Sequence, residues 1–165
     1  MPERFAHLFQ RHIDSLTRAW LDAVYAERRT DLPSILSHRE LVEHLPELLD
    51  ELSGLLDRQA GPEEVGRAAE RLRAYGQGRF QQGVLIDEVA RELMLLRDVL
   101  TEFLWREASQ ETGGDIRELR HTLRRASIFC DELIAQTIVI YAANFRPSVR
   151  TRGSVWPPPR ARRQN

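Results

Sequence analysis

The sequence predicts an all-α fold, a single helical bundle of five to six helices that closes on a long C-terminal helix. Apolar residues recur at steps of three and four along most of the chain, the period of one helical face. No stretch alternates apolar and polar residues as a half-buried strand would. Glycine, proline and capping residues separate the periodic stretches.

The first helix is predicted over 3–27, where Phe9, Ile13, Leu16, Trp20 and Val24 share a face. Thr30, Asp31 and Pro33 interrupt it. Ser37 and Glu40 then have the spacing of a capping box, in which each side chain satisfies the other residue's orphan amide. A second helix with the stripe Leu41, Leu45, Leu48, Leu52, Leu55 follows, and Pro46 inside it predicts a kink or a fresh start near His44. Gly61 and Pro62 open a third helix over 62–75, since proline at the first helical position loses no backbone bond. The segment 75–83, YGQGRFQQG, holds three glycines and reads as a break or a close approach of backbones.

A long helix over 85–107 carries Leu85, Val89, Leu93, Leu96, Leu100 and Phe103. Gly113 and Gly114 end it. From Asp115 the row Ile116, Leu119, Leu123, Ala126, Cys130, Leu133, Thr137, Ile140 steps three and four in a heptad pattern. It predicts a helix of about 30 residues, about 45 Å long. From Ile134 this helix is apolar nearly all round, so its second half should be covered on more than one side, as a central helix or in a dimer interface.

Charge excludes several function classes. The chain has no lysine, and six of its 24 arginines lie in 146–165 with no acid. Residues 1–145 carry 18 arginines against 25 acids, a net −7, the wrong sign to attract nucleic acid. The basic tail, 146–165, is Pro- and Arg-rich with Trp156 among its prolines. It is expected to be flexible and extended, and it is the only segment suited to a nucleic-acid or docking contact. Consecutive apolar residues run to four or five, short of the 18 or more of a membrane span. One cysteine forms no internal bridge and the N-terminus lacks a signal-peptide pattern, so the expected location is the cytoplasm.

Enzymatic and cofactor chemistry finds little footing. There is no phosphate-binding glycine loop with a lysine and no Gly-x-Ser-x-Gly nucleophile motif. Glu118 and His121 are the one Glu-x-x-His pair, where a di-iron bundle needs two such pairs and two further glutamates. His7, His44 and His121 are the nominees for a haem ligand, with no residue selecting among them. Cys130 sits in the heptad seam, where a thiol acts as a small hydrophobe. No catalytic, metal or cofactor residue is therefore assigned.

Polar residues pressed against apolar stripes stand out instead. On the long helix Glu92 and Arg97 lie at opposite margins of the stripe. Glu88 and Glu92 form a like-charge pair that needs a cation, and Arg79 is the nearest one. An Arg79–Glu92 bridge would fix this hinge. Together with Trp20 and Tyr75, residues Arg79, Glu88, Glu92 and Arg97 are the candidate ligand or switch pocket. Leu123, Cys130, Leu133, Thr137 and Ile140 are the candidate dimer or partner surface.

These residues carry a resemblance. The run YGQGRFQQGVLIDEVARELMLLRDVL from Tyr75, the stretch HLPELLDEL from His44, Trp20 and the closing DELIAQTIVIYAANF resemble the RsbRD-type N-terminal domain. The similarity covers about residues 10–145. It implies a non-haem, globin-like helical input domain of bacterial stressosome co-antagonists and some histidine kinases, one that dimerises. Tyr75 stands where the family pattern has histidine, and Leu93 and Met94 replace its aromatic. The expected function is a non-catalytic regulatory or signal-input domain acting through protein partners and homodimerisation. The alternatives are a small-molecule or haem sensor with its cavity beneath Trp20 and Tyr75, and a di-iron helical-bundle oxidoreductase.

Overall fold

The computed structural model describes residues 3–145; the basic segment 146–165 lies outside the described residues. Eight helices follow in order: α1 Arg4–Ala26, α2 Leu32–Ile35, α3 His38–Val42, α4 Leu45–Asp57, α5 Pro62–Arg71, α6 Arg73–Gln81, α7 Ile86–Glu111 and α8 Ile116–Phe145. No strand occurs among the described residues. Six helices exceed two turns, and α2 and α3 are single-turn pieces.

Local chemistry explains most boundaries. Ser37 and Glu40 close the capping box on α3. The chain restarts at α4 with Pro46 in its first turn, so the proline costs no helical bond. Asp57, at the end of α4, accepts from the Phe5 and Ala6 amides and so caps the start of α1. Gly113 and Gly114 adopt φ of +62° and +82° between α7 and α8, a conformation that L side chains resist.

The segment 75–83 departs from the expected break. Most of it is helix α6, and the break falls at Leu72 before it and at Gly83, φ +78°, after it. The close approach is real. A Cβ on Gly76 would lie 3.0 Å from Ile140 Cδ1 and 3.2 Å from Thr137 Oγ1, and one on Gly78 would lie 3.3 Å from His44 Nε2. Glycine is used here to bring α6 against α8 and His44 despite its helix penalty of about 1 kcal/mol.

α7 and α8 pack along each other, with α1 and α4 against one side and α5 and α6 across α8. The core holds Phe5, Leu8, Trp20, Leu52, Leu55, Val89, Leu100, Leu104 and Phe129, all nearly inaccessible. The heptad row of α8 needs correction. Cys130, Leu133, Thr137 and Ile140 are buried inside this core and Leu123 is half-buried, so as packed they are not a partner surface. Ile116, which begins the row, is 77 % exposed. The outer side of α8 instead exposes Ala135, Ile138, Val139 and Ala142, with Val139 at 66 %.

α8 also corrects the expectation that no segment is apolar enough for a span. One of its 18-residue windows has a mean hydropathy of 1.4 with 39 % of the window buried. Asp131, Glu132 and Gln136 interrupt its consecutive apolar residues, and the isoleucines, leucine and valine around them keep the average high. A helix packed in a protein core meets the same criterion.

Candidate functional site

The candidate site grows from the junction of α3, α6 and α7. Tyr75 and Arg79 are four residues apart on α6 and therefore share one face, with the Arg79 guanidinium 5.3 Å from the Tyr75 ring centre. From there Arg79 reaches Glu92 on α7 in a two-pronged bridge: Nη2 donates to Oε1 at 2.6 Å and Nε to Oε2 at 3.0 Å. Both side chains are almost wholly buried, at 0 % and 2 % exposure.

The remaining donors of Arg79 close the end of α3. Nη1 donates to the Glu40 carbonyl at 3.0 Å and to Gln82 Oε1 at 2.9 Å, and Nη2 donates to the Leu41 carbonyl at 3.2 Å. These carbonyls end a five-residue helix and have no helical partner of their own. One guanidinium thus ties α3, α6 and α7 together. Burial disfavours the Arg79 cation, but the hydrogen bonds and charge of Glu92 more than offset this and hold its pKa above the ordinary arginine value.

Glu88, one turn before Glu92, takes a different partner. Its Oε1 accepts from the Asp31 amide at 2.8 Å, while its buried Oε2 has no hydrogen-bond partner among the described residues. The expected clash of two acids is thus resolved by giving each its own donor. Arg97 is not part of the site. It is half-exposed and pairs with Asp131 on α8 at 2.5 Å, because its position on α7 turns toward α8.

Trp20 is buried, with its indole nitrogen 3.4 Å from the Glu92 carbonyl. Tyr75 Oη is buried and lacks a hydrogen-bond partner among the described residues. Burial raises the pKa of this phenol well above the ordinary tyrosine value, and the nearby Glu92 charge adds to the shift. A cavity of about 10 Å³ adjoins Trp20, Leu41, His44, Tyr75 and Glu92. That is space for about one water, so the expected alternative, a haem or a small molecule beneath Trp20 and Tyr75, does not fit this packing. His44 meets Tyr75 edge-on at 5.7 Å.

The di-iron alternative fails on geometry. Glu118 forms an ion pair with Arg4, and His121 is exposed on the outside of α8. Among the described residues no three metal-ligating side chains converge. Cys130 is buried, and burial pushes its thiol up to about 12, which removes the thiolate a nucleophile needs.

Reading the sequence alone misses Gln82 and the Glu40 and Leu41 carbonyls. The signal for them was present: a capping box opens α3 only a few residues before Pro46, so its last carbonyls need an outside donor.

Compared with known protein families, residues 14–154 match the RsbT co-antagonist protein rsbRD N-terminal domain. No curated protein and no solved structure matches the chain.

Proposed function

The chain belongs to the family of RsbT co-antagonist protein rsbRD N-terminal domains, and from that premise we propose that it is a non-catalytic signal-input domain that works by binding proteins, itself included. Family membership makes it a regulatory domain of stress signalling. The buried Arg79–Glu92 bridge is the internal brace of that domain, fixing how α6 and α7 sit against α3. We assign it to the cytoplasm, in keeping with its unpaired Cys130.

The observation that carries the self-association is the outer side of α8. Ala135, Ile138, Val139 and Ala142 are exposed on the last turns of a helix whose other side is core. They lie at steps of three, one and three, so they form one strip. A contiguous apolar strip of this kind marks an interaction surface, and a twofold contact of two such helices is the simplest closed arrangement.

Sedimentation of the full chain tests the reading. The wild type should be a dimer whose melting rises with concentration, and Ile138→Asp with Val139→Asp should give a folded monomer whose melting does not, since both side chains are exposed and only the association is lost. A wild type that stays monomeric at high concentration, or a variant that dimerises as tightly, overturns it.

A further inference from the structure

We propose that the basic segment 146–165 docks back onto the body of its own chain, in the groove between α1 and α4. This groove has two chemically distinct halves. The first is lined by Ala6, Phe9, Ile13, Pro46 and Leu49 and encloses about 220 Å³ of open space. The second, continuous with it through Ala6, Asp50 and Ser53, is walled by Glu3, Asp50, Glu51 and Asp57 against a single Arg58 and holds about 260 Å³. The groove is thus apolar at one end and has a net charge of −3 at the other.

The segment has the same two halves in the same order. Trp156 stands within VWPPP, and Arg160, Arg162 and Arg163 follow it with no acid among them. In extended proline-rich backbone those arginines lie about 12–22 Å beyond the indole. Along α4, Leu49 and Asp57 are about 12 Å apart. An indole seated over Phe9 and Leu49 therefore places the guanidinium groups at the acidic end.

Polarity and reach agree. Arg4 pairs with Glu118 in the first turn of α8, so the groove lies toward the start of that helix, and the segment leaves from its far end at Phe145. Running back, it meets the apolar half first and the acidic half second, the order its residues require. The path covers roughly 30 Å of helix axis, and the 11 residues from Phe145 to Trp156 extend to about 36 Å. Charge favours the contact, since six arginines face a body of net −7. The Asp50 carboxylate has no ion pair with another described residue. A polyanion competes poorly for the segment while that body is tethered beside it.

The test places p-benzoylphenylalanine at position 156 of the full chain, with irradiation and peptide mapping. Links within one chain to residues 6–13 and 46–53 are expected. Their yield should fall about tenfold in Asp50→Arg, which sets like charges face to face. A comparable fall is expected on raising ionic strength from about 0.1 to about 1 M, which shortens screening from about 10 to about 3 Å. Asp50 is exposed, and circular dichroism checks that the variant folds; Arg160→Glu with Arg162→Glu, outside the body, gives the same reading without touching it. Links that map elsewhere, that join two chains, or that persist unchanged in both variants overturn the proposal.

Discussion

Replacing Arg79 by methionine keeps most of the side-chain bulk and removes every donor; Gln82 Oε1 is half-buried and can turn to water, but three other groups are stranded. Glu92 becomes a carboxylate of 2 % exposure without its cation, and the Glu40 and Leu41 carbonyls lose their donor. Removing one partner of a buried pair costs about 3–5 kcal/mol, because the other charge stays buried and uncompensated. For a domain of this size each kcal/mol moves the melting temperature by about 2–4 °C. Arg79→Met should therefore melt about 6–20 °C below the wild type. The assay is thermal and urea unfolding of Arg79→Met, Glu92→Gln and the double variant, followed by circular dichroism. With no lone charge left inside, the double variant should be about 2–3 kcal/mol more stable than the sum of the singles implies. Single losses below about 1 kcal/mol that add to within about 0.5 kcal/mol would refute the brace.

Four further outcomes follow from single residues. Cys130 should resist thiol reagents at neutral pH until the protein unfolds; its folded pKa of about 12 against an ordinary 9 means that its contribution to stability is present below pH 9 and is lost as pH rises toward 12. Rapid labelling of native protein would contradict this. Gly76→Val should destabilise by about 2–3 kcal/mol through over-packing against Thr137 and Ile140, whereas Gly54→Ala, which meets only the movable tip of Arg58, should be neutral or gain up to about 1 kcal/mol in unfolding experiments. The Glu27 carboxyl should titrate near 2, because Arg29 hydrogen-bonds to it through side chain and backbone; carbon-detected NMR of Arg29→Ala should return it toward 4.5. The sign follows from the depressed value: whatever stability this pair adds is present above 4.5 and is lost as pH falls through 2.

Long periodic elements were legible in the sequence. α1, α7 and α8 sit within a few residues of their predicted spans, and the Ser37–Glu40 box and the restart at Pro46 follow from residue chemistry alone. The Arg79–Glu92 bridge was legible for an electrostatic reason, two acids a turn apart needing a cation. α6 was not. Its glycine content argues against helix, and only the packing of Gly76 on α8 explains why glycine is there. Reading that stretch as a break also concealed that Tyr75 and Arg79 share a face. The heptad row of α8 was assigned outward for a related reason, and it is mostly buried. Periodicity groups the residues of one face but does not say which face turns inward, and the second half of α8 is apolar on both. Arg97 was misassigned because a margin position can turn toward either neighbouring helix.

The central claim, that the outer side of α8 joins two copies of this domain, is most directly tested by disulfide trapping. Val139→Cys places a thiol on the exposed strip while the native Cys130 stays buried and out of reach. Under mild oxidation rapid and nearly complete conversion to a covalent dimer is expected, because the proposed twofold contact sets the centre of the strip against its own copy, within the roughly 4.4–6.8 Å between Cα atoms that a disulfide spans. Ile116→Cys, also exposed but at the opposite end of α8, about 35 Å along the helix from Val139, should link slowly. Equal rates at both positions would contradict the claim.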